Sequence, residues 1–156
     1  MKQKQVWLMV MAIAFFACQN PSANSNKVDS SKTPIDSSLT LAAKLTGCYE
    51  YNVGQDTIRL TLKINGNKVS GDLFYDMYEK DKSRGTLDGN LKDSVIESNY
   101  SFNSEGMDSE SEVFFKFKND SLYMGEGAQG YKDGKGVFLD KSKIGFKSAF
   151  RKIKCP

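Results

Sequence analysis

Thr57-Ile58-Arg59-Leu60-Thr61-Leu62-Lys63-Ile64 alternates polar and apolar residues without a break. Successive side chains of a β-strand point to opposite faces, so Ile58, Leu60, Leu62 and Ile64 share a buried face while Thr57, Arg59, Thr61 and Lys63 meet water. Asn65-Gly66 follows at once, a dipeptide suited to a hairpin because both positions tolerate positive φ. The chain resumes over Lys68 to Tyr78 with Val69, Leu73 and Tyr75 on a common face, and Gly71 predicts a bulge or bend.

On either side of this hairpin the same period recurs. Strands are expected at Gly47 to Tyr51, Arg84 to Leu91, Val95 to Asn103, Glu110 to Lys118, Ser121 to Gly125 and Ile144 to Ile153, with turn signals at Asp88-Gly89, Lys92-Asp93 and Asn119-Asp120. Ser142 to Phe150 also fits one helical turn, but Ile144, Phe146 and Phe150 with lysines between them fit alternation better. About seven or eight short strands, with no helical stripe after the first residues, give an all-β fold class: a small antiparallel β-barrel or a sandwich.

The N-terminus obeys different physics. Lys2 and Lys4 precede an apolar run from Val6 to Ala17 that stops at Cys18, a run too short to span a bilayer as a stable helix. A positive end, an apolar centre and a small residue at the cleavage point are the marks of an export signal. From Gln19 to about Thr40 the chain is rich in Ser, Asn, Lys and Pro and cannot bury a core. The expected organisation is a signal peptide at 1–17, a flexible tether at 18–40 and a β-domain at 41–156, long enough for one core.

Charge and cysteine usage narrow the partners. The chain carries 22 Lys and Arg against 19 Asp and Glu, a net charge of +3, and removal of Lys2 and Lys4 with the signal lowers it to +1. Bulk attraction to nucleic acid is not indicated. Apart from Cys18 the cysteines are Cys48 and Cys155, which in an oxidising compartment are expected to pair and so bring the two ends of the domain together.

With no histidine in the chain, a Ser-His-Asp or Cys-His arrangement is impossible and the usual mixed zinc sites cannot be built. No catalytic residue, metal or cofactor is expected. Gly125-Glu126-Gly127-Ala128-Gln129-Gly130 matches G-x-G-x-x-G, but Tyr131-Lys132-Asp133-Gly134 follows instead of an apolar helix, so a mobile glycine-rich loop is the better reading. Glu105, Asp108, Glu110 and Glu112 form the candidate surface for a partner or an ion, although their order does not match a calcium loop and an acidic loop alone does not make a glycosidase. Lys141, Lys143, Lys147, Arg151, Lys152 and Lys154 crowd the other end. Aromatics fall on both faces of Glu112-Val113-Phe114-Phe115-Lys116-Phe117 and of Asp72-Leu73-Phe74-Tyr75, which suits burial under loops, a partner surface or a barrel interior.

Phe15-Phe16-Ala17-Cys18 resembles the lipobox of bacterial lipoproteins, which implies lipidation of Cys18; Gln19 in place of aspartate implies, by the same resemblance, the outer membrane. Gly47-Cys48-Tyr49 before Asp56-Thr57-Ile58, Val69-Ser70-Gly71-Asp72-Leu73 with Glu79-Lys80-Asp81, and Tyr100 to Gly106 before a Val-Phe-Phe strand resemble small envelope lipoproteins of the Bacteroidota type. The hairpin succession looks, more distantly, like lipocalin-type barrels, although Gly47-Cys48-Tyr49 stands where they carry glycine-x-tryptophan. These resemblances imply a lipid-anchored envelope protein. The expectation is a non-catalytic barrel that binds a small apolar or amphipathic ligand, the alternative being an accessory envelope lipoprotein that works through protein contacts.

Overall fold

Inward and outward side chains alternate along strands that close on themselves. The structure, a computed structural model, describes residues 37–80 and 82–156; the expected signal peptide, Cys18 and nearly all of the expected tether lie outside them. Strands β1 (Gly47–Val53), β2 (Asp56–Asn65), β3 (Lys68–Asp76), β4 (Ser83–Lys92), β5 (Val95–Ser104), β6 (Met107–Lys118) and β7 (Ser121–Glu126) form an antiparallel meander. A hairpin of β8 (Gln129–Lys132) and β9 (Lys135–Phe138) precedes β10 (Gly145–Ile153). Because β10 pairs with β7 on one side and β1 on the other, β1–β7 and β10 make a closed 8-strand antiparallel barrel. Closure settles barrel against sandwich.

The alternation read at Thr57 to Ile64 holds: Ile58, Leu60 and Leu62 are buried, and they pack inside the barrel against Val69, Leu73, Leu87, Leu91, Ile96, Phe115, Leu122 and Phe150. Each such side chain taken out of water contributes about 1.5–3 kcal/mol. Outside the barrel, Phe114 meets the edge of Phe138 with ring centroids 5.4 Å apart, and Lys141 lies 5.2 Å over Phe114. The aromatic surplus of β6 is thus covered on its outer face by the segment that follows β9.

Several local expectations change. The Gly66-Asn67 pair, not Asn65-Gly66, turns the first hairpin, since Asn65 still pairs with Lys68 and Gly66 alone has positive φ (58°). Gly71 makes no bulge, because β2 and β3 stay in register through it. A Cβ there would stand 1.9 Å from the Thr61 carbonyl oxygen, so its role is close approach of two backbones. Asp88-Gly89 is not a turn but lies within β4, opposite Asn99 and Ser98, where a Cβ on Gly89 would sit 2.3 Å from the Glu97 carbonyl. Asn119-Asp120 does turn a hairpin, with φ of 50° and 59° at its two central residues.

Two elements lie beyond the strand pattern. Helix α1 (Ser37–Leu45) begins before the expected boundary at residue 41, contrary to a chain without helix after its first residues. Leu41 and Leu45 enter the core, and that burial stabilises a helix too short to persist alone. The β8–β9 hairpin buries one large side chain, Phe138, and docks through a short parallel pairing of β9 with β6, Glu110 opposite Lys135 and Ser111 opposite Gly136. The expected pairing of cysteines is present: Cys48 and Cys155 are bonded across 107 positions with Cα atoms 5.2 Å apart, beside the Cys48–Ile153 register of β1 and β10.

Candidate functional site

The two ends of the barrel differ. At the lower end α1 packs against β2, and Lys44 reaches Asp120 in the β6–β7 turn and lies 5.2 Å from the Phe117 ring. Lys152 closes the junction, donating from Nζ to the carbonyls of Lys44 (2.7 Å) and Thr46 (2.9 Å) at the helix C-terminus, where a cation is favoured. Leu45, Leu62, Val69, Leu91 and Leu122 fill the space above.

At the upper end the fill stops short. A cavity of about 430 Å³ opens between the β3–β4, β5–β6 and β7–β8 connections, within the range of about 300–1,000 Å³ usual for small-molecule sites. Its floor and walls include Tyr75, Tyr100, Phe102, Val113, Met124 and Phe138, with Ser83, Ser111, Glu112, Glu126 and Gln129 as polar lining. These inner residues arrive by register alone: Tyr75 sits opposite Ser83, Phe102 opposite Ser109, and Met124 opposite Phe115. Tyr100 stacks on Phe102 at 4.6 Å with 12° between ring planes, and Tyr75 leans on Tyr100 at 5.8 Å.

The phenols are tied but not consumed. Tyr100 Oη and Ser83 Oγ share a hydrogen bond at 3.1 Å, and Tyr75 Oη donates to Met124 Sδ at 3.9 Å. Burial pushes the Tyr75 hydroxyl far above its ordinary value, with Tyr100 adding to the effect. Burial raises Tyr100 as well, against the opposing Ser83 hydrogen bond. Both remain neutral at physiological pH, each with an apolar ring and a polar tip.

No family model, curated protein or solved structure matches this chain.

The acidic residues singled out in the sequence do not act as one group. Glu105 lies in the β5–β6 turn with positive φ (52°), and Asp108 accepts from the Asn103 amide at 3.0 Å. Glu110 accepts from Ser101 at 3.5 Å on the outer face of the sheet. Glu112 is held apart from them: it accepts the Phe138 N–H at 3.1 Å and pairs with Lys141 at 3.0 Å, fastening the segment after β9 to β6. Among the described residues no group of three or more His, Cys, Asp and Glu is arranged to hold a metal ion.

Gly125 to Gly130 is not an independent loop. Gly125-Glu126 ends β7 and Gln129-Gly130 starts β8, so the glycine-rich run forms one wall of the mouth. Glu126 lies two residues from Met124 and four from Leu122, a period-two spacing in the sequence that sets it on their side of β7, at the exposed lip of the mouth.

Proposed function

We propose that this is a lipid-anchored envelope protein, held through Cys18, whose barrel binds a small amphipathic ligand in its open upper mouth without transforming it. The observation that carries the ligand reading is the unfilled aromatic mouth above a packed lower half. The ring faces of Tyr75, Tyr100 and Phe102 suit an apolar body, and the Ser83, Ser111 and Gln129 side chains suit a polar end. A lower half filled by leucines limits the ligand to the mouth, so a compact molecule is favoured over a long acyl chain. The membrane attachment is supported by the charged, apolar and small-residue order that ends at Cys18, where acyl chains would each contribute about 0.8 kcal/mol per buried methylene.

Native mass spectrometry on the protein purified from its own envelope tests the ligand reading. A discrete additional mass that leaves on unfolding is expected; a bare mass under conditions that retain ligand in a control barrel overturns it. Fractionation of cells carrying Cys18→Ala tests the anchor: the variant should move from the membrane fraction to the soluble one, and an unchanged membrane fraction rules the anchor out.

A further inference from the structure

The row of inward residues on β7 reads Leu122, Met124, Glu126, changing from apolar to carboxylate as it reaches the mouth. On β2 the inward row ends in the same way, Leu60 and Ile58 giving way to Asp56. No lysine or arginine occupies an inward position in the upper half among the described residues. Asp56 is engaged by the backbone, accepting the Tyr78 N–H at 2.7 Å. Glu112, also on the lining, pairs at 3.0 Å with Lys141, a lysine it shares with Glu97. Glu126 accepts from the Ser148 hydroxyl, and among the described residues it forms no ion pair. One carboxylate without a cation thus stands at the lip of an aromatic cavity.

Resting on the reading of the mouth as a ligand site, we propose that it selects a ligand with a protonated amine head: the amine meets Glu126 while the apolar body lies on Tyr75, Tyr100 and Phe102. An ammonium group gains from both partners, since the carboxylate attracts it directly and aromatic faces attract cations. An anionic head in the same place would face Glu126 with no compensating cation, and would be repelled. Ser148 leaves acceptor capacity on the Glu126 carboxylate, which can take up to about four hydrogen bonds.

Three probes of one body and different head test this by NMR titration of the full chain: 4-phenylbutylamine, 4-phenylbutanol and 4-phenylbutyrate. The amine is expected to bind about tenfold more tightly than the carboxylate, with the alcohol between them, and the gap to shrink as salt is added. Glu126→Gln should bring amine and carboxylate within about twofold, and Glu126→Asp should keep the preference and serve as the control for folding. Equal or tighter binding of the carboxylate, or a preference that survives Glu126→Gln, overturns the head-group assignment while leaving the mouth as a site. Failure of all three probes to shift the resonances of Tyr75, Tyr100 and Phe102 overturns the mouth itself.

Discussion

Tyr49 donates its hydroxyl hydrogen to the carbonyl of Leu45 at 2.7 Å, tying the last turn of α1 to the first strand from inside the barrel. The carbonyl is one of those a helix C-terminus leaves without an internal partner, and Leu45 is fully buried, so no water replaces the phenol.

Tyr49→Phe removes the donor and strands that carbonyl, and should lower unfolding free energy by about 1–2 kcal/mol in urea titration. Burial pushes the Tyr49 hydroxyl up to about 12 from 10.0. A raised folded value means that the contribution is complete below pH 10.0 and is lost as pH climbs through about 12. The wild type should therefore lose stability over that alkaline window more steeply than Tyr49→Phe; parallel curves would show that Tyr49 does not carry the effect.

Reduction of the Cys48–Cys155 bond, or Cys48→Ser, should lower stability by about 2–5 kcal/mol, because the bond closes a loop spanning 107 positions. The urea midpoint with and without reductant measures it. The mouth lies at the other end from the α1 junction and should keep its ligand affinity in the reduced protein under native conditions.

Gly71→Ala should be among the costliest single-methyl additions in the chain. Its Cβ would stand 1.9 Å from the Thr61 oxygen, and neither backbone can yield without breaking β2–β3 pairing. A loss of about 3 kcal/mol is expected from denaturant midpoints. Gly66→Ala, whose Cβ would meet nothing within 4 Å, should cost only the strain of its positive φ.

Burial works against the charge of Glu112, yet the Lys141 hydrogen bond and the Phe138 N–H outweigh it and hold the carboxyl below its usual 4.5. A depressed folded value gives stability that is present above pH 4.5 and lost as pH falls through the folded value. Hydrogen exchange at the Phe138 amide should accelerate on acidification, and in Lys141→Met the acceleration should begin at higher pH. Exchange independent of pH after correction for its intrinsic rate would remove Glu112 as the clasp.

The eight barrel strands were legible because each buries one face and wets the other, and period two survives any register. β8 and β9 were not, since Gln129-Gly130-Tyr131-Lys132 and Lys135-Gly136-Val137-Phe138 are too short and too polar to show it. Helix α1 was hidden for a related reason: Leu41, Ala42 and Leu45 have helical spacing, but they abut a Ser-rich run and gain their stability from the barrel end. The mouth lay between these cases. Tyr75, Tyr100 and Phe102 were visible as aromatics, but their convergence depends on three strands meeting in register, which no local pattern encodes.

The seam between β1 and β10 sets the order of biogenesis. Among the described residues, 145–153 supply the only strand that joins β7 to β1, so a chain emerging N-terminus first carries a seven-strand meander with both edges bare until those residues are free. During synthesis such an open sheet is vulnerable to edge-to-edge pairing with its own copies. Shutting waits for the last strand, and any factor that shields nascent strands would act before β10 arrives.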